Sequence, residues 1–211
     1  MKLLGLAGNF TTMMWRILSI IVFANRDKKL KVGDTVTFSH RLYEQFYSPA
    51  YCSKEVEQSV GGLLPAGLVL SDGKVVRFFK SIMGEKRRHV FTIDEGLVRF
   101  IEIISPCRGF DCVLGFKRAD SFSFYYRFLS ELDNKVIFDI DDLLKLSGEG
   151  KYISNRDGFS WSSYRRKVIM PAINEINRDQ GAVTGMFVSW EIQTALYGRK
   201  NVGVKFTITR K

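Results

Sequence analysis

The chain of 211 residues carries 32 Lys and Arg against 22 Asp and Glu, a formal net charge of +10, with 45% hydrophobic and 26% charged residues. This is the composition of a globular core with a basic exterior, sized for one large domain or two small ones, and it excludes a disordered or low-complexity chain. Excess cations favour a polyanionic partner, nucleic acid before anionic membrane, with solubility as the plainer alternative.

The N-terminal run MKLLGLAGNFTTMMWRILSIIVFANR has the early lysine and apolar stretch of a signal peptide. Arg16 and Ser19 interrupt it, no small-x-small cleavage pattern follows, and Met13–Ala24 is too short to span a bilayer. Apolar residues at Met13, Met14, Ile17, Ile20, Ile21 and Ala24 predict a core helix over Phe10–Arg26 instead. Next, TVTF (35–38) alternates as a strand, and Ser39 can cap a short helix over HRLYEQFY. A turn at Ser48–Pro49 leads to a second helix near Ser53–Leu64, ended by glycines and Pro65. VVRFFKSIM (75–83) and HVFTI (89–93) then read as two strands joined by the basic turn GEKRR.

The second half repeats this order. SFSFYYRFLSELDN (121–134) reads as a serine-capped helix, VIFDI (136–140) as a strand, and DIDDLLKLSG (139–148) as a short helix with acids at its positive dipole end and Gly148 beyond. A turn rich in Gly, Asn and Asp precedes SWSSYRRKVIMPAINEINR (160–178); MFVSWEIQTAL (186–196) and VGVKFTITRK (202–211) then form a hairpin around YGRKN. Helix, short strand, two helices and a hairpin, twice over, is the order of two tandem winged-helix domains in an α+β chain. The boundary is expected near Lys117–Asp120, giving domains 1–118 and 119–211.

In the 160–178 helix, about 100° per residue gathers Trp161, Tyr164, Val168, Ile169, Ala172, Ile173 and Ile176 on one face. Ser163, Arg166, Lys167, Met170 and Asn174 fall opposite, and Arg165 lies nearer the apolar side, reaching outward along its stem. Cations here oppose the helix dipole by roughly 0.3–1 kcal/mol each, which argues for phosphates or base edges as their partner. An Arg-Arg-Lys run is by itself usually a solvated face. The basic hairpin tips, Arg199 and Lys200 in one half and Lys86, Arg87 and Arg88 in the other, favour DNA. Pro171 has no evident role beyond shaping the helix against the core.

Other chemistries find little support. Cys52, Cys107 and Cys112 form neither a disulfide framework nor a good zinc site and read as reduced thiols of a cytoplasmic protein. His40 and His89 are isolated in sequence, so the His-x-His cluster of a DNA-nicking enzyme cannot be built, and P-loop and Gly-x-Ser-x-Gly patterns are missing. Asp139, Asp141 and Asp142 imitate a metal site but are spaced as helix caps. The expectation is a non-enzymatic protein without cofactor or metal.

From Tyr126 onward the chain resembles the second winged helix of the replication initiators of iteron plasmids. The resemblance rests on FYYRFLSEL (124–132), FDIDDLLKLSG (138–148), Tyr152, RKVIMPAINEIN (166–177) and GRKNVGVKFTI (198–208). The first half resembles the family in outline only, through MMWRILSIIV, VTFSHRLYEQFY and FTIDEGLVRFI. The resemblance implies a protein that binds double-stranded direct repeats at an origin, in equilibrium between a monomer that initiates and a homodimer that represses its own promoter. It implies host helicase or chaperone contacts, and no membrane role. It points to DNA contacts at Ser162, Ser163, Arg165, Arg166, Lys167, Arg199 and Lys200, with Lys54, Lys86, Arg87 and Arg88 in the first domain. A winged-helix transcriptional regulator without a replication role is the alternative, and binding to anionic membrane surfaces the more distant one.

Overall fold

In a computed structural model, the structure describes residues 3–8, 10–25, 27–47, 53–70, 72–85, 87–104, 113–131, 133–147, 153–154, 158–181, 184–194 and 201–210. Cys52, Cys107, Cys112, Lys86, Gly148, Tyr152, Gly198, Arg199, Lys200 and the Ser48–Pro49 turn lie outside the described residues. The chain divides into two units, Met1–Gly115 and Phe116–Lys211.

The first unit is organised on helix α1 (Thr12–Ala24), which begins where Thr11 Oγ1 accepts the Met14 amide at 3.1 Å. Trp15, Ile17, Leu18, Ile20 and Ile21 are fully buried, so the helix is apolar around most of its circumference and runs through the core. Its Arg16 is buried too, with the guanidinium 4.4 Å from the Tyr47 ring centre. Strand β2 (Thr35–Ser39) alternates exposed and buried residues, and Ser39 Oγ accepts the Leu42 amide at 3.2 Å to start helix α2 (His40–Phe46). Helix α3 is Ser53–Gly62.

The expected 75–83 strand is broken at Phe78. Its first part, β4 (Val75–Arg77), pairs with β3 (Gly67–Leu70), which pairs with β1 (Leu3–Ala7) in a sheet that the sequence reading had not anticipated. Its second part, β5 (Phe79–Glu85), forms a hairpin with β6 (Arg88–Ile93), and β6 pairs with β2. The Phe78 ring is fully buried and meets Phe100 edge-on at 5.6 Å, which fixes the break. Phe100 belongs to helix α4 (Glu95–Ile104), also unanticipated as a separate element. A Cβ on Gly67 would lie 2.2 Å from the Val76 carbonyl, so this crossing tolerates no side chain.

In the second unit, helix α5 (Ala119–Leu129) starts two residues before the expected serine cap. Ser121 lies inside the helix, fully buried, and Arg118 occupies the cap position without a side-chain cap bond. Phe124 and Phe128 join Phe138 and Phe206 in an aromatic core with centroids 5.1–6.2 Å apart. Phe116, ahead of the helix, meets Phe122 and Tyr125 edge-on at 5.3 and 5.5 Å.

Strand β7 (Lys135–Asp139) turns Val136 and Phe138 inward. At its end Asp139 Oδ1 accepts the Asp142 amide at 2.8 Å, so this acid caps helix α6 (Ile140–Ser147). A small ladder, β8 (Ile153–Ser154) with β9 (Gly158–Phe159), precedes helix α7 (161–176). Strands β10 (Met186–Thr194) and β11 (Asn201–Arg210) make a long antiparallel hairpin, and β11 also pairs with β7. Among the described residues no helix is long and apolar enough to cross a membrane.

Candidate nucleic-acid interface

Helix α7 is three segments in one run: α-helical Trp161–Tyr164, π-helical Arg165–Ile169 and α-helical Met170–Ile176. The expected apolar face is buried at Tyr164, Val168, Ile169, Ala172, Ile173 and Ile176. Ser162, Arg165, Arg166, Lys167, Met170 and Asn174 are exposed, and Ser163 is half-exposed. The three cations therefore stand together between Tyr164 and Val168.

The π segment has a local cause. Pro171 has no amide proton, and its ring collides with the carbonyl four residues earlier, that of Lys167. The helix widens just before it, and the Met170 amide bonds to the Arg165 carbonyl, five residues back. The Lys167 carbonyl, without its helical donor, accepts Nη2 of Arg118 at 2.6 Å. Arg118 is paired in turn with Asp120 at 3.3 Å. On the other side of Pro171, the Glu175 carboxylate accepts the Lys117 amide at 3.3 Å.

The rest of the helix is held at both ends. At the start, Trp161 Nε1 donates to the Asn201 carbonyl of β11 at 3.2 Å, and Phe159 packs edge-on against Trp161 at 5.0 Å. Arg165 reaches over the ring of Trp190 on β10, with its guanidinium carbon 5.3 Å from the centroid. At the end, Asn177 donates to the Val188 carbonyl and accepts the Val188 amide, both at 2.7 Å. Gly181, at φ +74°, closes the turn behind it, where a Cβ would lie 2.2 Å from the Met186 carbonyl.

Three other cations of this unit are engaged elsewhere. Arg210 Nη1 donates to Asn134 Oδ1 at 2.7 Å and its Nη2 to the Phe128 and Glu131 carbonyls, so it serves the C-terminal end of α5. Lys205 donates to Glu191 at 2.6 Å, and that hydrogen bond, reinforced by the ammonium charge, holds the Glu191 carboxyl below the usual carboxylate range. Arg127, buried, pairs with buried Glu131 at 2.5 Å.

In the first unit, Lys54 is exposed on α3, and Arg87 and Arg88 are exposed at the β5–β6 turn. The Arg87 carbonyl accepts the His40 amide at 3.0 Å, which ties that turn to the start of α2. His40 and His89, distant in sequence, are neighbours here, with buried rings 5.9 Å apart. Among the described residues no group of three or more His, Cys, Asp or Glu side chains could hold a metal ion.

Sequence reasoning missed Arg118 and Trp190 as supports of the basic segment. Trp190 shares the phase of the inward Met186 and Val188 along its strand and offered a pattern; Arg118, 49 residues from its acceptor, offered none.

Residues 139–208 match the family model described as "Initiator Rep protein, WH2", its second winged helix. No curated protein matches the chain. Among solved structures, the Pi initiator protein in complex with iteron DNA is similar with a TM-score of 0.60 at 14% identity, covering 98% of this chain and 97% of that one. The selenomethionine derivative of domains 2 and 3 of RctB is similar with a TM-score of 0.50 at 12% identity, covering 93% of this chain and 80% of that one. At these identities the likeness is one of fold. Residues 139–208 thus match the second winged helix of initiator Rep proteins, and the chain as a whole shares the fold of the Pi initiator protein.

Proposed function

We propose that this protein is a replication initiator that binds double-stranded DNA carrying direct repeats, through two tandem winged-helix domains. Helix α7 is the reading helix, with Ser162, Ser163, Arg165, Arg166 and Lys167 toward the DNA. The β10–β11 hairpin is the accompanying wing, with Arg199 and Lys200 at its tip. In the first domain Arg87 and Arg88, with Lys86 and Lys54, make auxiliary backbone contacts. That domain also mediates a homodimer, in equilibrium with the monomer, which represses the protein's own promoter, and host helicase or chaperone proteins join at the origin. The protein acts by binding, without bond-making chemistry.

The observation that carries this reading is the three-cation segment Arg165–Lys167, exposed on a helix inside the part of the chain that matches the initiator family. Such a segment neutralises phosphates and donates to guanine edges. The likeness to an initiator solved on iteron DNA supports the same partner class.

The test is a footprint on the DNA flanking the gene, repeated at several salt concentrations. Regularly spaced protection that survives moderate salt is expected; diffuse protection that disappears with salt would reduce the protein to a DNA-coating role. A plasmid carrying the gene and its flanking DNA should then replicate in a suitable host. Repeat binding without replication would favour the transcriptional regulator.

A further inference from the structure

We infer that Arg118 is a positioning residue for DNA reading: it stands in for the amide proton that Pro171 lacks and so fixes the backbone from which Arg165, Arg166 and Lys167 project. This rests on the reading of α7 as the DNA-contacting helix.

Proline in a helix interior leaves one carbonyl without a donor and pushes it aside. Water can satisfy such a carbonyl at an exposed position, without fixing the direction in which it points. Here the carbonyl is that of Lys167, inside the basic segment. It receives a charged donor from outside the helix, Arg118 Nη2 at 2.6 Å. Hydrogen bonds from ionised donors are shorter and stronger than neutral ones. Asp120, 3.3 Å from the same guanidinium, holds it in place.

The neighbouring Lys117 amide binds Glu175 at 3.3 Å. Residues 117 and 118 therefore hold the helix at Lys167 and at Glu175, one point on each side of Pro171. The clamp resists a change of helical geometry at the proline, where a shift of one hydrogen bond would rotate all three cations. The role of the Arg118 side chain is thus geometric. With 40% of its side chain exposed, it adds little to overall stability.

The chemistry makes a specific demand. Alanine at position 171 restores an amide proton whose α-helical acceptor is the Lys167 carbonyl, the group Arg118 serves. Pro171→Ala should make Arg118 dispensable.

The experiment is a double-mutant cycle on the full chain with Arg118→Gln, Pro171→Ala and both together. Binding is measured on a repeat duplex from the footprinted region and on a scrambled duplex of equal length, across a salt series. Arg118→Gln is expected to weaken repeat binding about 10-fold while changing the scrambled duplex less than about 2-fold, and to leave the salt slope unchanged. In the Pro171→Ala background the same substitution should change repeat binding less than about 2-fold. Additive losses, or equal losses on both duplexes with a shallower salt slope, would make Arg118 a phosphate contact and overturn the inference.

Amide hydrogen exchange over residues 165–170, without DNA, gives a second reading. Exchange there should accelerate in Arg118→Gln and return to the parental rate, or slower, in the double variant. Unchanged exchange in Arg118→Gln would also overturn it. A parental protein with no preference for the repeat duplex would instead defeat the functional reading, and the exchange result would still decide whether the clamp exists.

Discussion

The Tyr164 hydroxyl lies 2.7 Å from the Leu143 carbonyl, joining helix α7 to helix α6 through a buried hydrogen bond. Ser147 Oγ lies 3.0 Å from the same hydroxyl and itself donates to the Leu143 carbonyl at 2.9 Å. The angle between the two helices is therefore set by polar chemistry as well as packing. Tyr164→Phe should destabilise the second unit by about 1–2 kcal/mol through loss of one buried hydrogen bond. Urea unfolding of the full chain, followed by tryptophan fluorescence, measures this; Tyr164→Phe with Ser147→Ala should cost less than the sum of the two, because the contact between the two hydroxyls is lost in either single variant.

On the proposed interface, Arg166→Ala should weaken repeat binding by about 1–3 kcal/mol if the guanidinium reads a guanine. Arg199→Ala should weaken repeat and scrambled duplexes alike and reduce the salt slope by about one. Titrations of both variants on both duplexes separate the roles. Equal, sequence-independent losses would show that α7 is not the reading helix.

Arg127 and Glu131 form an ion pair in which each side chain is 5% exposed, with the guanidinium carbon 5.1 Å from the centre of the Phe138 ring. Burial lowers the Arg127 pKa, and the Glu131 charge works in the opposite direction. Removing one partner strands a buried charge, so Glu131→Gln should cost about 3–5 kcal/mol. Arg127→Met together with Glu131→Leu should lie within about 1–2 kcal/mol of the parent, since an apolar pair of similar volume avoids desolvation. Chemical denaturation of the single and double variants distinguishes the two outcomes.

A pH dependence is expected in the first unit. Burial holds the His89 pKa below its ordinary value, nearby His40 adds to the effect, and Glu57 opposes it. The unfolded chain therefore binds the proton more readily than the folded one. The stability associated with neutral His89 is fully present above about pH 6.5 and is lost as pH falls through the lower folded value. Melting temperatures between about pH 5 and 7.5 should rise with pH, and His89→Gln should flatten that rise. An identical slope in the variant would assign the dependence to other groups.

Periodicity made much of this legible in advance. The burial of Tyr164, Val168, Ile169, Ala172, Ile173 and Ile176 and the alternation of Val36 and Phe38 follow from spacing alone. These faces are wide and their neighbours polar, so the pattern survives without tertiary knowledge. The sheet of β1, β3 and β4 was not legible, because its strands are short and brought together from distant segments. Ser121 looked like a cap because a serine precedes an apolar run, yet the helix begins earlier, at Ala119. The π turn had its cause in plain view at Pro171, but its stabilising partner, Arg118, is set by the fold.

The position of that partner has a consequence for hybrid proteins in which the second unit of this chain is grafted onto another chain. A seam placed at residue 119, where sequence patterning put the division, would discard Phe116 from beneath Phe122 and Tyr125 and leave the Lys167 carbonyl without its guanidinium. The transplanted helix would bring its three cations but not the geometry that presents them. The inheritable module begins at Phe116, so that Arg118 travels with Pro171.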